Sequence, residues 1–203
     1  MSDVAYCTVS DLRSRLNQTS TAGDTILSSI ILSVSRWIED STKRRFHILA
    51  ETRYYSAEDF VDLWIDDCIS ISSLKTDDNA DGVYETTWAA TDYKLLPSNA
   101  LLDGMPYSQI RIATNGNYAF PRGILEGVQL VGSFGYCSST TSGRATLVRE
   151  ACLLQAERIF KRKDSPLGVS GLSPLGAQTL KIPGDGLDPD IAEMLVGLRR
   201  LQQ

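Results

Sequence analysis

Asp77-Asp78-Asn79-Ala80-Asp81-Gly82 fits the pattern D-x-[DN]-x-[DN]-G, the first half of a calcium loop. In such a loop, side-chain oxygens at alternate positions converge on a hard cation and the glycine permits a sharp turn. Asp77, Asn79 and Asp81 are the candidate ligands, and Glu85, at position nine, would contribute indirectly. Position twelve, which should hold a bidentate glutamate, is Trp88, and no helix is expected ahead of the loop. The plainer reading of the same residues is the polar tip of a β-hairpin with Asp-Gly at its turn.

Elsewhere the sequence offers little catalytic chemistry. It contains no GxGxxG, GxxxxGK[ST] or HExxH, so the phosphate-cradling and metalloprotease signals are absent. Gly132-Ser133-Phe134-Gly135 is one residue too short for a nucleophile elbow and lies at a strand end. His47 is the only histidine, and it sits between a basic helix end and a strand, where a structural role is expected. No pair of acids stands out as a glycosidase couple. The four cysteines (Cys7, Cys68, Cys137 and Cys152) form no CxxC, and they read as reduced thiols in a cytosolic setting. No catalytic residue and no cofactor is therefore assigned, calcium at the Asp77 loop being the one candidate ion.

Charge narrows the partners. The formal net charge is −5, which disfavours non-specific binding to a polyanion. Residues 51–137 carry five basic and thirteen acidic side chains, whereas 138–163 carry six basic and two acidic. The aromatics of the middle region, among them Tyr54, Trp64, Trp88 and Tyr136, lack the basic track of a base-stacking groove, so they read as packing residues. No apolar run approaches the roughly 20 residues that span a bilayer, and Met1-Ser2-Asp3-Val4 has no basic n-region. Neither membrane association nor classical secretion is expected.

The elements that must position these residues follow from periodicity. A short helix is expected over 9–17 with Thr8 or Ser10 as cap, and a longer one from Asp24 to Arg45. Ile26, Leu27, Ile30, Ile31, Val34, Trp37 and Ile38 would form its buried stripe, and Lys43-Arg44-Arg45 its last turn. Between Phe46 and Tyr136 the period becomes two, with strands at 52–56, 61–65, 69–75, 83–88, 92–96, 109–113 and 127–134 separated by Gly, Pro and Asn turns. A helix returns at 143–163. Five glycines and three prolines among residues 166–187 then exclude a long helix, and a last helix of about four turns starts at Asp188-Pro189. The expected fold class is α+β. Residues 1–50 supply N-terminal helices of a helical core, 51–137 an inserted antiparallel β-barrel or sandwich-like region, 138–163 a core helix, and 164–203 an extended arm ending in a helix.

Several segments together resemble the head–tail connector, or adaptor, proteins of tailed phages with long non-contractile tails and their prophages. They are Tyr6-Cys7-Thr8-Val9-Ser10-Asp11-Leu12, Ser35-Arg36-Trp37-Ile38-Glu39, Lys43-Arg44-Arg45-Phe46, Thr52-Arg53-Tyr54-Tyr55, Leu63-Trp64-Ile65, Ile71 to Asp78, Asp92 to Asn99, Gly127 to Tyr136, and Arg162 to Gly168. The resemblance covers roughly residues 6–170 and fits the last thirty less well.

It implies a non-catalytic virion protein at the head–tail interface, assembled in the host cytoplasm. Such a protein binds the portal protein from beneath as a ring, typically dodecameric, and receives the stopper or tail-completion protein. DNA would pass through the channel without specific binding. The C-terminal arm would then dock on the portal or a neighbouring copy through Leu180, Ile182, Ile191, Met194, Leu195, Leu198 and Leu201, the alternative being that the last helix folds back on its own protomer. The alternative is a calcium- or carbohydrate-binding β module, and an enzyme is a weaker one still.

Overall fold

The structure, a computed structural model, describes residues 4–114, 116–137, 143–162 and 187–200. The chain divides into two compact units, one helical (Met1–Arg44 with Gly143–Gln203) and one built on a sheet (Arg45–Ser142). The fold class is α+β.

In the helical unit, α1 (Val9–Arg15) starts where Thr8 and Asp11 form a reciprocal capping box. The Asp11 N–H donates to Thr8 Oγ1 at 3.1 Å, and the Thr8 N–H donates to Asp11 Oδ2 at 3.2 Å, so two otherwise orphaned donors are satisfied. The next helix, α2 (Asp24–Thr42), packs against α3 (Gly143–Arg162), and α4 (Pro189–Leu195) lies on both. Leu12, Leu27, Ile31, Val34, Ile38, Val148, Ala151, Ala156, Ile191 and Leu195 fill the interior. Ser35 and Thr42, also buried, return their hydroxyl protons to the carbonyls of Ile31 and Ile38.

Two details of α2 differ from expectation. Ile26 and Trp37 are exposed, because the neighbours cover only the face through residues 27, 31, 34, 38 and 42. Moreover, the helix ends at Thr42, one turn early. Lys43 turns left-handed at φ 55°, so Lys43-Arg44-Arg45 lie beyond the helix rather than in its last turn.

The sheet unit is an open six-stranded antiparallel sheet. Its strands are β1 (Leu49–Tyr55), β2 (Asp62–Thr76), β3 (Thr86–Trp88), β4 (Tyr93–Leu96), β5 (Tyr107–Ile112) and β6 (Val128–Phe134). They run in the order β1-β6-β2-β5-β4, with β3 pairing β2. This corrects the expected barrel: β1 and β4 remain free edges. Short alternating strands specify which face is buried, but whether a sheet closes depends on strand order and stagger. Expected strands 61–65 and 69–75 are one strand, because Asp66 and Asp67 do not break it. Asp66 stays in the sheet by accepting from Arg53 Nη1 (2.6 Å) and the Tyr55 hydroxyl (3.3 Å). Register shifts at Trp64/Cys68, Cys68/Ser70 and Ile71/Ser73 let β2 serve β5 with one half and β6 with the other.

A core of Leu63, Ile65, Leu74, Ile110, Phe120, Leu130 and Phe134 lies on one face. Two glycines make the strand packing tight. A Cβ on Gly132 would come 2.3 Å from the Ser70 carbonyl oxygen, and one on Gly135 (φ 144°) would come 2.1 Å from that of His47. Glu51 anchors a further cluster, accepting two hydrogen bonds from Arg45 (2.7 and 2.9 Å) and two from Arg53. Those bonds, Arg45's first, hold the Glu51 carboxyl at about 2.

Candidate functional site

The Asp77–Glu85 loop follows β2 directly. Asp77 closes it, with Oδ1 accepting the N–H groups of Asn79 (3.1 Å) and Ala80 (2.7 Å), and Oδ2 accepting that of Gly82 (2.8 Å). Burial by itself would raise the Asp77 carboxyl, but those N–H donors outweigh it and keep it below the usual carboxylate range. Asn79 Oδ1 and Asp81 Oδ1 accept the N–H groups two residues on, so each carboxamide or carboxylate turns the chain once more.

One carboxylate oxygen each from Asp77, Asp81 and Glu85 lies within 4.8 Å of the others. Asn79 Nδ2 bridges the latter two, donating to Asp81 (3.2 Å) and Glu85 (3.1 Å). The four residues singled out from the sequence are thus brought together. Trp88 is not among them. It is buried, stacked on Phe120 and Tyr118, with its indole N–H on Thr76 Oγ1. The arrangement gathers three carboxylates, and position twelve, as Trp88, adds none.

The described C-terminal residues take the fold-back placement, the alternative to docking on another chain. Ile191, Leu195 and Leu198 are buried, with α4 seated on α2 and α3 of its own unit, and Met194 is half-buried. Leu180, Ile182 and Leu201 lie outside the described residues, as does most of the arm. The last helix is also shorter than four turns, α4 giving way to a 3-10 turn at Val196–Leu198.

Basic side chains of α3 hold its start. Arg162 donates twice to Asp188 (2.6 and 2.8 Å), and Arg158 forks onto Asp190 (2.7 and 2.6 Å) while also reaching Asp188. The buried Gln155 accepts the Asp188 N–H at 3.0 Å. Asp188 occupies the N-cap position as expected, but its side chain makes no cap hydrogen bond because the two arginines take it. At the other end the Arg200 N–H donates to the Thr42 carbonyl. Sequence reading found the cap and missed this clamp, since nothing local links Arg158 and Arg162 to an Asp-x-Asp 26 residues or more away.

The clamp has an acid limit. Arg158 hydrogen bonds hold Asp190 at about 2, and for Asp188 the Arg162 and Arg158 bonds overcome the upward pull of burial. Both carboxyls are depressed in the folded state. Their contribution is therefore present above the unfolded value of about 4 and is lost as pH falls from there toward about 2. Melting of the helical unit followed between pH 5 and pH 2 should fall over that window, and Asp190→Asn should flatten the fall.

Among the described residues, no helix is long and apolar enough to cross a membrane. Trp64, Leu102 and Leu125 are exposed on the sheet unit, Leu102 at 87% and Leu125 at 83%. Leu102 rides on a loop whose turns are fixed by backbone bonds, Ala100 N–H to Pro97 O and Met105 N–H to Ala100 O.

No protein-family model matches the sequence, and no curated protein is significantly similar to it. Solved structures are similar. The chain superposes on a component of the neck of a native GTA (gene transfer agent) particle computed with C12 symmetry, with a TM-score of 0.57 and 17% identity over 96% of this chain and 89% of the other. It also superposes on a component of the neck of an empty GTA particle computed with C6 symmetry, with a TM-score of 0.59 and 17% identity over 96% and 90% of the two chains. The chain shares its fold with components of GTA particle necks.

Proposed function

We propose that this chain is a structural connector at the head–tail interface of a tailed-phage-like particle, acting as a ring around the DNA channel rather than as a catalyst. The observation that carries the reading is that both units are matched, over 96% of the chain, by components of particle necks reconstructed with rotational symmetry. A cyclic array needs two different, complementary surfaces on each copy. Exposed Trp64, Leu102 and Leu125 supply apolar surface for such contacts.

In this reading one side of the ring meets the portal protein and the other receives the stopper or tail-completion protein, with assembly taking place in the host cytoplasm. The sheet unit carries six basic and thirteen acidic residues. Acidic surface toward the channel would let DNA pass without adhering. Deleting the gene in a producing strain should leave DNA-filled heads without tails, and supplying the chain in trans should restore tailed particles. Normal tailed particles from the deletion strain would overturn the proposal.

A second reading concerns the Asp77 loop alone, where three carboxylates converge in calcium-loop order. If it takes calcium, melting should rise in millimolar Ca²⁺ relative to chelator, because a ligand that binds only the native state stabilises it. Asp81→Ala should abolish the difference. Identical melting in Ca²⁺ and chelator would leave the loop a hairpin tip shaped by Asp77.

A further inference from the structure

Two of the four cysteines meet. Cys7 lies in the segment leading into α1, Cys152 in the middle of α3, and their sulfur atoms are 3.4 Å apart in the interior of the helical unit. Cys68 and Cys137 belong to the other unit. A disulfide bond is about 2.05 Å long, so closing this pair takes a further approach of about 1.4 Å. Much of that can come from the Cys7 side, because the segment before α1 belongs to no helix or strand. The Tyr6 N–H donates to Ser35 Oγ (3.1 Å), Arg36 Nη2 donates to the Val4 carbonyl (2.7 Å), and the Tyr6 hydroxyl donates to Glu39. Such a segment opens locally at a fraction of the cost of unfolding, which gives a small oxidant access to Cys7. Ser35 Oγ of α2 lies 3.6 Å from Cys152 Sγ.

We propose that Cys7 and Cys152 are an oxidative modification site, a thiol pair that closes to a disulfide when the protein leaves a reducing compartment. Once local opening frees Cys7 from burial and from the hydrogen bond it donates to Cys152, its thiol gives its proton to solvent, and the Cys7 thiolate attacks one sulfur of a small disulfide such as oxidised glutathione, forming a mixed disulfide and releasing one glutathione thiolate. The Cys152 thiolate then attacks the Cys7 sulfur and releases the second glutathione. Two protein thiols are oxidised, one glutathione disulfide is reduced to two glutathiones, and the two protein protons pass to the released thiolates. In the cytoplasm the reduced glutathione pool holds the pair open, whereas oxidising surroundings close it. The bond would tie residue 7 to residue 152 and so cross-link the start of the chain to α3 across the whole inserted sheet unit. A cross-link spanning so long a loop removes much of the unfolded chain's freedom. The chemistry of the pair is independent of the neck reading, and only its use in a released particle rests on it.

The test uses the purified full-length chain, treated with oxidised glutathione and then alkylated. The expected result is an intact mass lower by about 2 Da before alkylation, Cys7 and Cys152 protected from the alkylating agent, a linked peptide joining the two, and a melting temperature raised by about 5 °C or more and restored by reductant. Cys7→Ser treated in the same way should show no rise. A folded, treated protein in which both thiols remain alkylatable would overturn the proposal. So would cross-links to Cys68 or Cys137 instead, or glutathione left on Cys7 without ring closure. None of these outcomes bears on the connector role, because the readout is made on the isolated chain.

Discussion

Gly135→Ala is expected to destabilise the sheet unit by about 3 kcal/mol or more, a large share of the roughly 5–15 kcal/mol of a protein of ordinary stability. Two independent causes act at this residue. Its φ of 144° is a backbone conformation that L-residues rarely adopt, and the added methyl would lie 2.1 Å from the His47 carbonyl oxygen, 2.8 Å from its carbon and 3.0 Å from the Ile48 Cα. All three atoms are backbone, so no side chain can rotate away. The Gly135 N–H also donates to the Asp67 carbonyl at 2.8 Å, and any backbone shift that relieved the clash would stretch that bond. Gly132→Ala should be nearly as damaging, since its methyl would meet the Ser70 carbonyl oxygen at 2.3 Å, between β6 and β2. Gly23→Ala is the matched control, because nothing lies within 4 Å of its added atom. Urea titration of the three variants checks the order. A Gly135→Ala midpoint equal to that of wild type would refute the packing described for β6.

Truncation before Leu187 is the second large effect. Leu187, Ile191, Leu195 and Leu198 are all buried, and fully burying an aliphatic side chain of this size contributes roughly 1.5–3 kcal/mol. Part of that offsets the entropy of ordering the segment, so the net loss should be several kcal/mol. Removal would also strand Arg158, Arg162 and Gln155 without Asp188 and Asp190. Leu195→Ala isolates the packing contribution and should cost about 2–5 kcal/mol. Arg158→Ala tests the clamp and should cost less, because its ion pairs are partly exposed. The signature is a helical unit that melts early while the sheet unit keeps its own transition. A truncated chain as stable as the full one would mean that the last helix is held elsewhere than on α2 and α3.

Much of the fold was legible because it rests on local regularities. The start of α1, with Thr8 or Ser10 as cap, the 3.6-residue stripe of α2 and α3, and the alternation in β1, β4, β5 and β6 each declare themselves within a few residues. What was not legible depends on partners distant in sequence. Periodicity placed Ile26 and Trp37 in the α2 stripe, but their burial depended on how far the neighbouring helices reach, which no pattern within α2 contains. Asp66-Asp67-Cys68 read as a break between strands, whereas Arg53 and Tyr55, on another strand, make acids tolerable there. The C-terminal stripe needs a cover, for which the sequence favours the portal or a neighbouring copy over the protomer itself, because nothing local in the stripe identifies the covering surface. The clamp of Arg158 and Arg162 answers that for the described part of the arm. The calcium-order loop shows the opposite case: its four oxygen-bearing residues were readable from spacing alone, and the hydrogen bonds that shape it join near neighbours.

The connector role is tested most directly by a three-dimensional reconstruction of the neck of the particle that carries this chain. The account predicts a closed ring of copies between head and tail, around the channel, each copy fitting as a helical unit with an open six-stranded sheet. A well-resolved neck that contains no copy of this chain would contradict it.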